Sequence, residues 1–262
     1  MSENLYLFTK DERGVATVTL NRPDVHNAFN DELINQLTTL FSEMDQDDSI
    51  RLVVLTGNGK SFCAGADLNW MKSMVGYTEE ENYKDSKNLA GLFVTINNFS
   101  KPVIGSINGH ALGGGCGLVS VCDFIIASDR AKFGFTEVKL GLIPATISPF
   151  CIAKIGESNA RALFMSGHMF KAKKAQEIGL VHKVVDREKL LEKTQEAVDN
   201  FLIAGPQAAK AAKSLIKNVI KMHGGGDDEL TDYTCRQIAK ARTSAEGQEG
   251  MNALLEKRRP SF

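Results

Sequence analysis

The sequence predicts an α/β fold around a mainly parallel, buried sheet, followed by a helical C-terminal region. Three observations lead there. Short apolar runs alternate with helix-like stretches over the first part of the chain. Two of these strand-to-helix units resemble each other. From about residue 186, helix follows helix with no strand signal between. A chain of 262 residues can bury a substantial core as one domain with an appendage. The expected division is a core over 1–195 and a helical region over 196–262.

Taken in order, "GVATVTL" (14–20) alternates and is β-branched, as a strand is. After the turn "NRPDVHNAF", Asn30 can cap a helix that has Asp31 and Glu32 in its first turn. That helix would carry Leu33, Ile34, Leu37, Leu40, Phe41 and Met44 on one face. "RLVVLTG" (51–57), "KPVIGSING" (101–109) and "CDFIIAS" (122–128) have the length and continuous apolarity of buried strands. Helices between them imply right-handed crossovers. "RLVVLTGNGKSFCAGADL" and "KPVIGSINGHALGGGCGL" form the weak internal repeat: strand, Asn/Gly turn, small-residue bend, helix start. Further on, Pro206 suits a first helical turn, and Ala208, Ala212, Leu215, Ile216, Val219 and Ile220 then share a stripe. "HGGGDDEL" (223–230) breaks the helix and restarts it with acids, and an amphipathic helix with a basic tip closes the chain.

Composition narrows the function. With 43% hydrophobic and 24% charged residues and a net charge of −1, neither nucleic acid nor an anionic membrane is an expected partner. No uncharged apolar run approaches the ~20 residues of a membrane span, and the first residues carry no signal or transit pattern. The five cysteines are scattered without a CxxC pair, which points to reduced thiols and a cytoplasmic setting. The histidines show no HxH or HxxxH spacing, so no metal is expected. "TGNGKS" lacks the earlier glycine of a P-loop, that position being Val54, and "GGGCG" lacks the GxGxxG order of a dinucleotide fingerprint.

The candidate chemistry lies in the two bends and in one carboxyl. Ala64, Gly65 and Ala66, then Asp67 at a helix start, match Gly113, Gly114 and Gly115 in the second unit. Small residues let backbone N–H groups approach a ligand, and two such groups converging would form an oxyanion hole. Tight strand–helix packing uses the same residues. Glu137 stands among Phe133, Phe135, Val138 and Leu140. If buried there, its pKa rises into a range useful for proton transfer; the alternative is a solvated carboxyl paired with Lys132 or Lys139. Cys116 has no basic partner nearby and reads as a packing residue.

Together, "NRPDVHNAFN", "GKSFCAGADL", "KPVIGSINGHALGGGCGL", "CDFIIAS", "AKFGFTEVKLGLIP" and "IGLVHKVV" resemble the crotonase (enoyl-CoA hydratase/isomerase) family, in family order from about residue 14 to the C-terminus. Within it, "ADLNWMK", "GGGCGLV" and "TEVKLGLIPATISP" are similar to the bacterial methylglutaconyl-CoA hydratases of leucine degradation. The resemblance implies a spiral core of ββα repeats and a C-terminal region that builds a trimer, commonly paired into a hexamer. It implies a coenzyme A thioester as substrate, with no further cofactor. The thioester oxygen would lie between the N–H groups of Ala66 and Gly114, and Glu137 would transfer protons. Val25, Ala28, Ala64, Asp67 and Leu68 would line the coenzyme, largely through backbone contacts. Lys257 would approach the nucleotide phosphates of a neighbouring subunit. The chain departs from the family in one place: two-acid hydratases carry a first Glu where this chain has Gly117.

On that resemblance the expected reaction is water addition to an enoyl-CoA, 3-methylglutaconyl-CoA above others, with Glu137 serving as base and then acid. A water held by backbone, Ser120 or Thr136 would assist. A single Glu also suits a Δ3,Δ2-enoyl-CoA isomerase, the runner-up, and a third reading is a non-catalytic acyl-CoA-binding protein. A substrate with a distal carboxylate needs a cation, for which Lys72 and Lys139 are the candidates.

Overall fold

The computed structural model describes residues 4–222 and 226–262. Strand β1 (Tyr6–Lys10) pairs antiparallel with β2 (Val15–Leu20). The sequence reading passed over β1, which lies at the sheet edge with most of its side chains exposed and so shows no buried face. Helix α1 (Asp31–Gln46) starts at Asn30, whose side chain accepts from the Leu33 N–H at 2.9 Å, and it buries all six predicted apolar residues. Strands β3 (Leu52–Gly57) and β4 (Ser61–Cys63) lead to α2 (Leu68–Ser73) and α3 (Glu79–Asn98). Next come β5 (Val103–Ile107), β6 (His110–Leu112) and α4 (Gly114–Val121). A third unit follows: β7 (Phe124–Ser128), β8 (Lys132–Gly134), a short 3-10 turn Glu137–Leu140, and α5 (Ser148–Ser166).

Each unit is thus ββα, and its two strands enter different sheets. The described residues form a six-stranded sheet in the order β1-β2-β3-β5-β7-β10 and a four-stranded one in the order β4-β6-β8-β9. The remaining members are β9 (Phe170–Lys171), α6 (Ala172–Glu177) and β10 (Lys183–Val185). The long runs read from the sequence are the strands of the larger sheet, parallel from β2 through β10. They are apolar at consecutive positions because both faces are covered. Ala16, Val53, Leu55 and Val103 face the main core, whereas Val15, Leu52, Val54, Ile104 and Ile126 meet α7 (Leu190–Leu202).

The expected boundary at 195/196 falls inside α7. That helix packs as one body on β3, β5 and β7, so the core extends through it. The helical region is then α8 (Pro206–Met222), α9 (Asp227–Thr243) and α10 (Ala245–Leu255). Of the predicted break at 223–230, residues 223–225 lie outside the described residues; the acidic restart is α9. Among the described residues no helix is long and apolar enough to cross a membrane, and no cluster of metal-ligating side chains occurs.

Candidate active site

The second sheet assembles the site. Strands β4 and β6 pair in parallel, with Ser61 opposite His110 and Cys63 opposite Ala111, so the bends that follow them lie side by side. A Cβ on Gly65 would stand 3.9 Å from the Gly114 nitrogen. Strand β8 pairs in parallel on the other side of β6, with Gly134 opposite Leu112, and delivers Glu137 three residues later. Three adjacent parallel strands therefore present Ala66, Gly114 and Glu137 beyond their carboxyl ends, the usual place for a site in open α/β sheets.

Both amides are turned outward by a glycine ahead of them. Gly65 has φ +93° and Gly113 φ +51°, conformations that L side chains rarely adopt. The direction of the Ala66 amide follows from its neighbours. Phe29 donates to the Gly65 carbonyl (2.7 Å) and accepts from the Asp67 N–H (2.8 Å), forming a parallel bridge to Ala66. In such a bridge the bracketed residue's own N–H points away from its partner. Among the described residues neither the Ala66 nor the Gly114 N–H has an acceptor. Ala66 is exposed and Gly114 half-buried, while Gly65, Gly113 and Gly115 beside them are buried. Two reachable, unspent donors at a helix start can hold a developing negative charge.

Glu137 is half-buried and does not take the paired, solvated alternative. Its Oε1 lies 3.1 Å from where a Cβ on Gly113 would stand, so the carboxyl reaches over the second bend. Its Oε2 is buried without a hydrogen-bond partner, and among the described residues the side chain makes no salt bridge. Desolvation raises its pKa above the ordinary glutamate value.

Position 117 is closed. A Cβ on Gly117 would meet Ile147 Cγ2 at 2.4 Å and the Phe93 ring at 2.9 Å, and a Cβ on Gly114 would meet the Phe29 ring at 2.9 Å. Phe29 and Phe93 stand edge to face, centroids 6.2 Å apart. An aromatic and aliphatic wall fills the space where a first acid would project.

The other predicted residues divide. Val25 and Leu68 are exposed and Ala64 is half-buried, so they are available at the mouth of the site. Ala28 is buried, its N–H donating to the Val25 carbonyl and its own carbonyl accepting from Arg22. Asp67 is buried, and its carboxylate pairs with Arg22 at 2.7 Å and caps α2 by accepting from Asn69 N–H. Its pKa is lowered: burial opposes this, but the Asn69 N–H and Arg22 outweigh it. The Asp67 side chain thus faces its own fold, whereas the coenzyme contact expected of this residue is one of its backbone. Lys257 is exposed just past α10, which packs on α8 and α9. Ser120 is spent in the core, donating to the Cys116 carbonyl (2.8 Å) and touching Cys151 Sγ (3.1 Å), so it holds no water for the reaction. Burial raises the thiols, Cys151 to about 12 and Cys116 well above its ordinary value, consistent with packing roles. Lys72 and Lys139 are both exposed. Arg22, Phe93 and Ile147 escaped the sequence reading, because each acts on residues far away in the chain.

Two neighbouring small-residue bends after parallel ββα units, with one desolvated carboxyl above the second, define an enzyme of the crotonase fold. The chain belongs to the enoyl-CoA hydratase/isomerase family, whose model matches residues 10–262. It is 33% identical to the 2,3-dehydroadipyl-CoA hydratase of Escherichia coli, over 98% of each chain. It is 36% identical to the enoyl-CoA hydratase AKT6-1 of Alternaria alternata, over 95% of this chain and 80% of that one. Among solved structures it superposes on an enoyl-CoA hydratase from Shewanella pealeana with TM-score 0.94 at 37% identity, covering 100% of this chain and 97% of the other. A candidate crotonase from Legionella pneumophila gives TM-score 0.92 at 42% identity over 99% of each.

Proposed function

We propose that the protein adds water to an enoyl-CoA thioester, with 3-methylglutaconyl-CoA as the preferred substrate and 3-hydroxy-3-methylglutaryl-CoA as product. The observation that supports this is the meeting of two unspent amides with an unpaired, desolvated carboxyl. The thioester oxygen lies between the Ala66 and Gly114 N–H groups. The Glu137 carboxylate takes one proton from water as its oxygen bonds to Cβ, and the electron pair of the Cα–Cβ double bond moves onto the thioester oxygen. The resulting carboxylic acid then returns the proton to Cα, the enolate collapses, and the carboxylate is restored. Each donor contributes about 2.7–4 kcal/mol to lowering the barrier, and the acid–base group ~10²–10⁴-fold. The coenzyme runs past Val25, Ala28, Ala64, Asp67 and Leu68, largely along their backbone, and serves as part of the substrate, with no other cofactor. Lys257 reaches the phosphates of a neighbouring subunit in a trimer or hexamer in the cytoplasm.

One observation favours a second reading, the Δ3,Δ2-enoyl-CoA isomerase. The packed wall at Gly117 leaves a single carboxyl, which suffices to move a proton from Cα to Cγ. Turnover in ¹⁸O-labelled water separates the two: hydration places the label in the product, and double-bond migration leaves it out. Glu137→Gln tests both against a non-catalytic binding protein, since catalysis predicts lost turnover with retained acyl-CoA binding. A substrate panel tests the acyl group. Unbranched enoyl-CoA turned over at least as well as the branched diacid would remove the narrower assignment.

A further inference from the structure

Next to the first bend sits a guanidinium that the chemistry does not touch. Arg22, just past β2, has a side chain only 16% exposed, and Asp67, its partner at 2.7 Å, is 5% exposed. Its second nitrogen donates to the Ala28 carbonyl. Its backbone N–H donates to Asn27 Oδ1 at 2.8 Å, and the Asn27 amide reaches the carbonyls of Asn58 and Ser61, both at 2.9 Å. The Ala64 N–H bonds to the His26 carbonyl at 3.0 Å. The loop 21–29 is therefore laced onto the turn before β4 and the bend after it.

The position of Arg22 within this lacing matters most. Asp67 directly follows Ala66, and Ala28 directly precedes Phe29, the residue whose two backbone bonds bracket Ala66. One planar fork thus grips both sides of the bridge that sets the direction of the Ala66 N–H. A lysine could neutralise Asp67, but as a point charge it cannot hold two acceptors at a fixed angle. With both partners engaged and most of its surface covered, Arg22 is not free to bind a phosphate.

We infer that Arg22 is a positioning residue for catalysis: by bridging Asp67 and the Ala28 carbonyl, it fixes the Ala66 N–H in its oxyanion-binding direction. This rests on the reading of Ala66 as an oxyanion donor. Such donors act within a few tenths of an ångström, and a misplacement of ~1 Å can cost ~10²-fold in rate.

The test compares wild type with Arg22→Met, Arg22→Lys and Asp67→Asn. Two readouts are used: steady-state kinetics on an enoyl-CoA, and the absorbance of bound 4-(dimethylamino)cinnamoyl-CoA, which shifts to the red when its thioester carbonyl is polarised. In Arg22→Met, kcat should fall ~10–100-fold with KM nearly unchanged, and the red shift should shrink in step. Arg22→Lys should recover only part of each, and Asp67→Asn should resemble it. Should Arg22→Met fail to fold, the lysine and asparagine variants, which keep the size of the pair, carry the same comparison. A folded Arg22 variant with the full red shift and wild-type kcat overturns the inference. So does a loss confined to KM, which would make Arg22 a coenzyme contact. A wild-type protein that binds the probe with no red shift would remove the oxyanion reading itself, and this inference with it.

Discussion

The carboxyl of Glu137 has one oxygen buried with no partner, and its pKa is raised by desolvation alone against a single opposing backbone contact. A general base must be ionised, and burial favours the neutral form. As pH falls, kcat/KM should therefore drop through a pKa higher than that of a solvated glutamate. Glu137→Gln should abolish that limb and lower turnover ~10²–10⁴-fold, which a pH–rate profile of both proteins would show. The apolar neighbours of Glu137 made this residue legible in the sequence. Gly117 was legible only as an absence, because the side chains that close it come from α3 and from the start of α5. With Ile147 and Phe93 in that space, Gly117→Glu should not supply a second acid. It should destabilise the fold by about 1–3 kcal/mol through overpacking and a buried charge, read as a lower melting temperature. A folded Gly117→Glu enzyme with increased hydratase activity would contradict the closed wall.

At the scale of elements, the repeat seen in the sequence proved to be a strand pair with one member hidden. The first strand of each unit is a continuous apolar run and reads clearly. The second, such as Ser61–Cys63 or His110–Leu112, is three residues long and shows no period. Its existence depends on pairing with the equivalent strand of the next unit, information that lies in the tertiary structure. The glycines were legible as bends, but their roles differ with backbone angle. Gly113 has φ +51° and ψ −121°, and a Cβ there would stand 3.1 Å from Glu137 Oε1. Gly113→Ala should cost about 1–3 kcal/mol in backbone strain and should depress kcat as it displaces the carboxyl and tilts the following amide. Gly91, inside α3, has no atom within 4 Å of its would-be Cβ and no positive φ. Gly91→Ala should stabilise by about 0.4–1 kcal/mol and leave kcat unchanged. Chemical denaturation of the two variants, opposite in sign, separates a glycine required by its conformation from one that is not.

For the whole molecule, the informative feature is the way α8 sits. Three of its four lysines reach back to the rest of the chain: Lys213 pairs with Asp123 at 2.7 Å, Lys210 with Asp48 at 3.2 Å, and Lys217 bonds to Asn98 Oδ1 at 2.5 Å. Part of the apolar stripe read from the sequence turns the other way: Leu215 and Val219 are half-buried, but Ile216 is left 62% and Ile220 69% exposed. Leu254 and Leu255 at the end of α10 are exposed as well. A single amphipathic helix ordinarily buries its apolar face and shows its charges to water; here the polar face grips the core. Exposing such a stripe to water is unfavourable by ~25 cal/mol per Å², and the trimer or hexamer proposed above would cover it. The sequence showed the stripe but not its direction, because that direction is fixed by two ion pairs and a hydrogen bond to residues 90 to 162 positions away. Ile216→Glu combined with Ile220→Glu should leave helix content and the core intact, since neither side chain is buried in the protomer, while dissociating the proposed assembly in sedimentation. A wild-type chain that sediments as a monomer, or a double variant that still assembles, would show that this face serves something other than self-association.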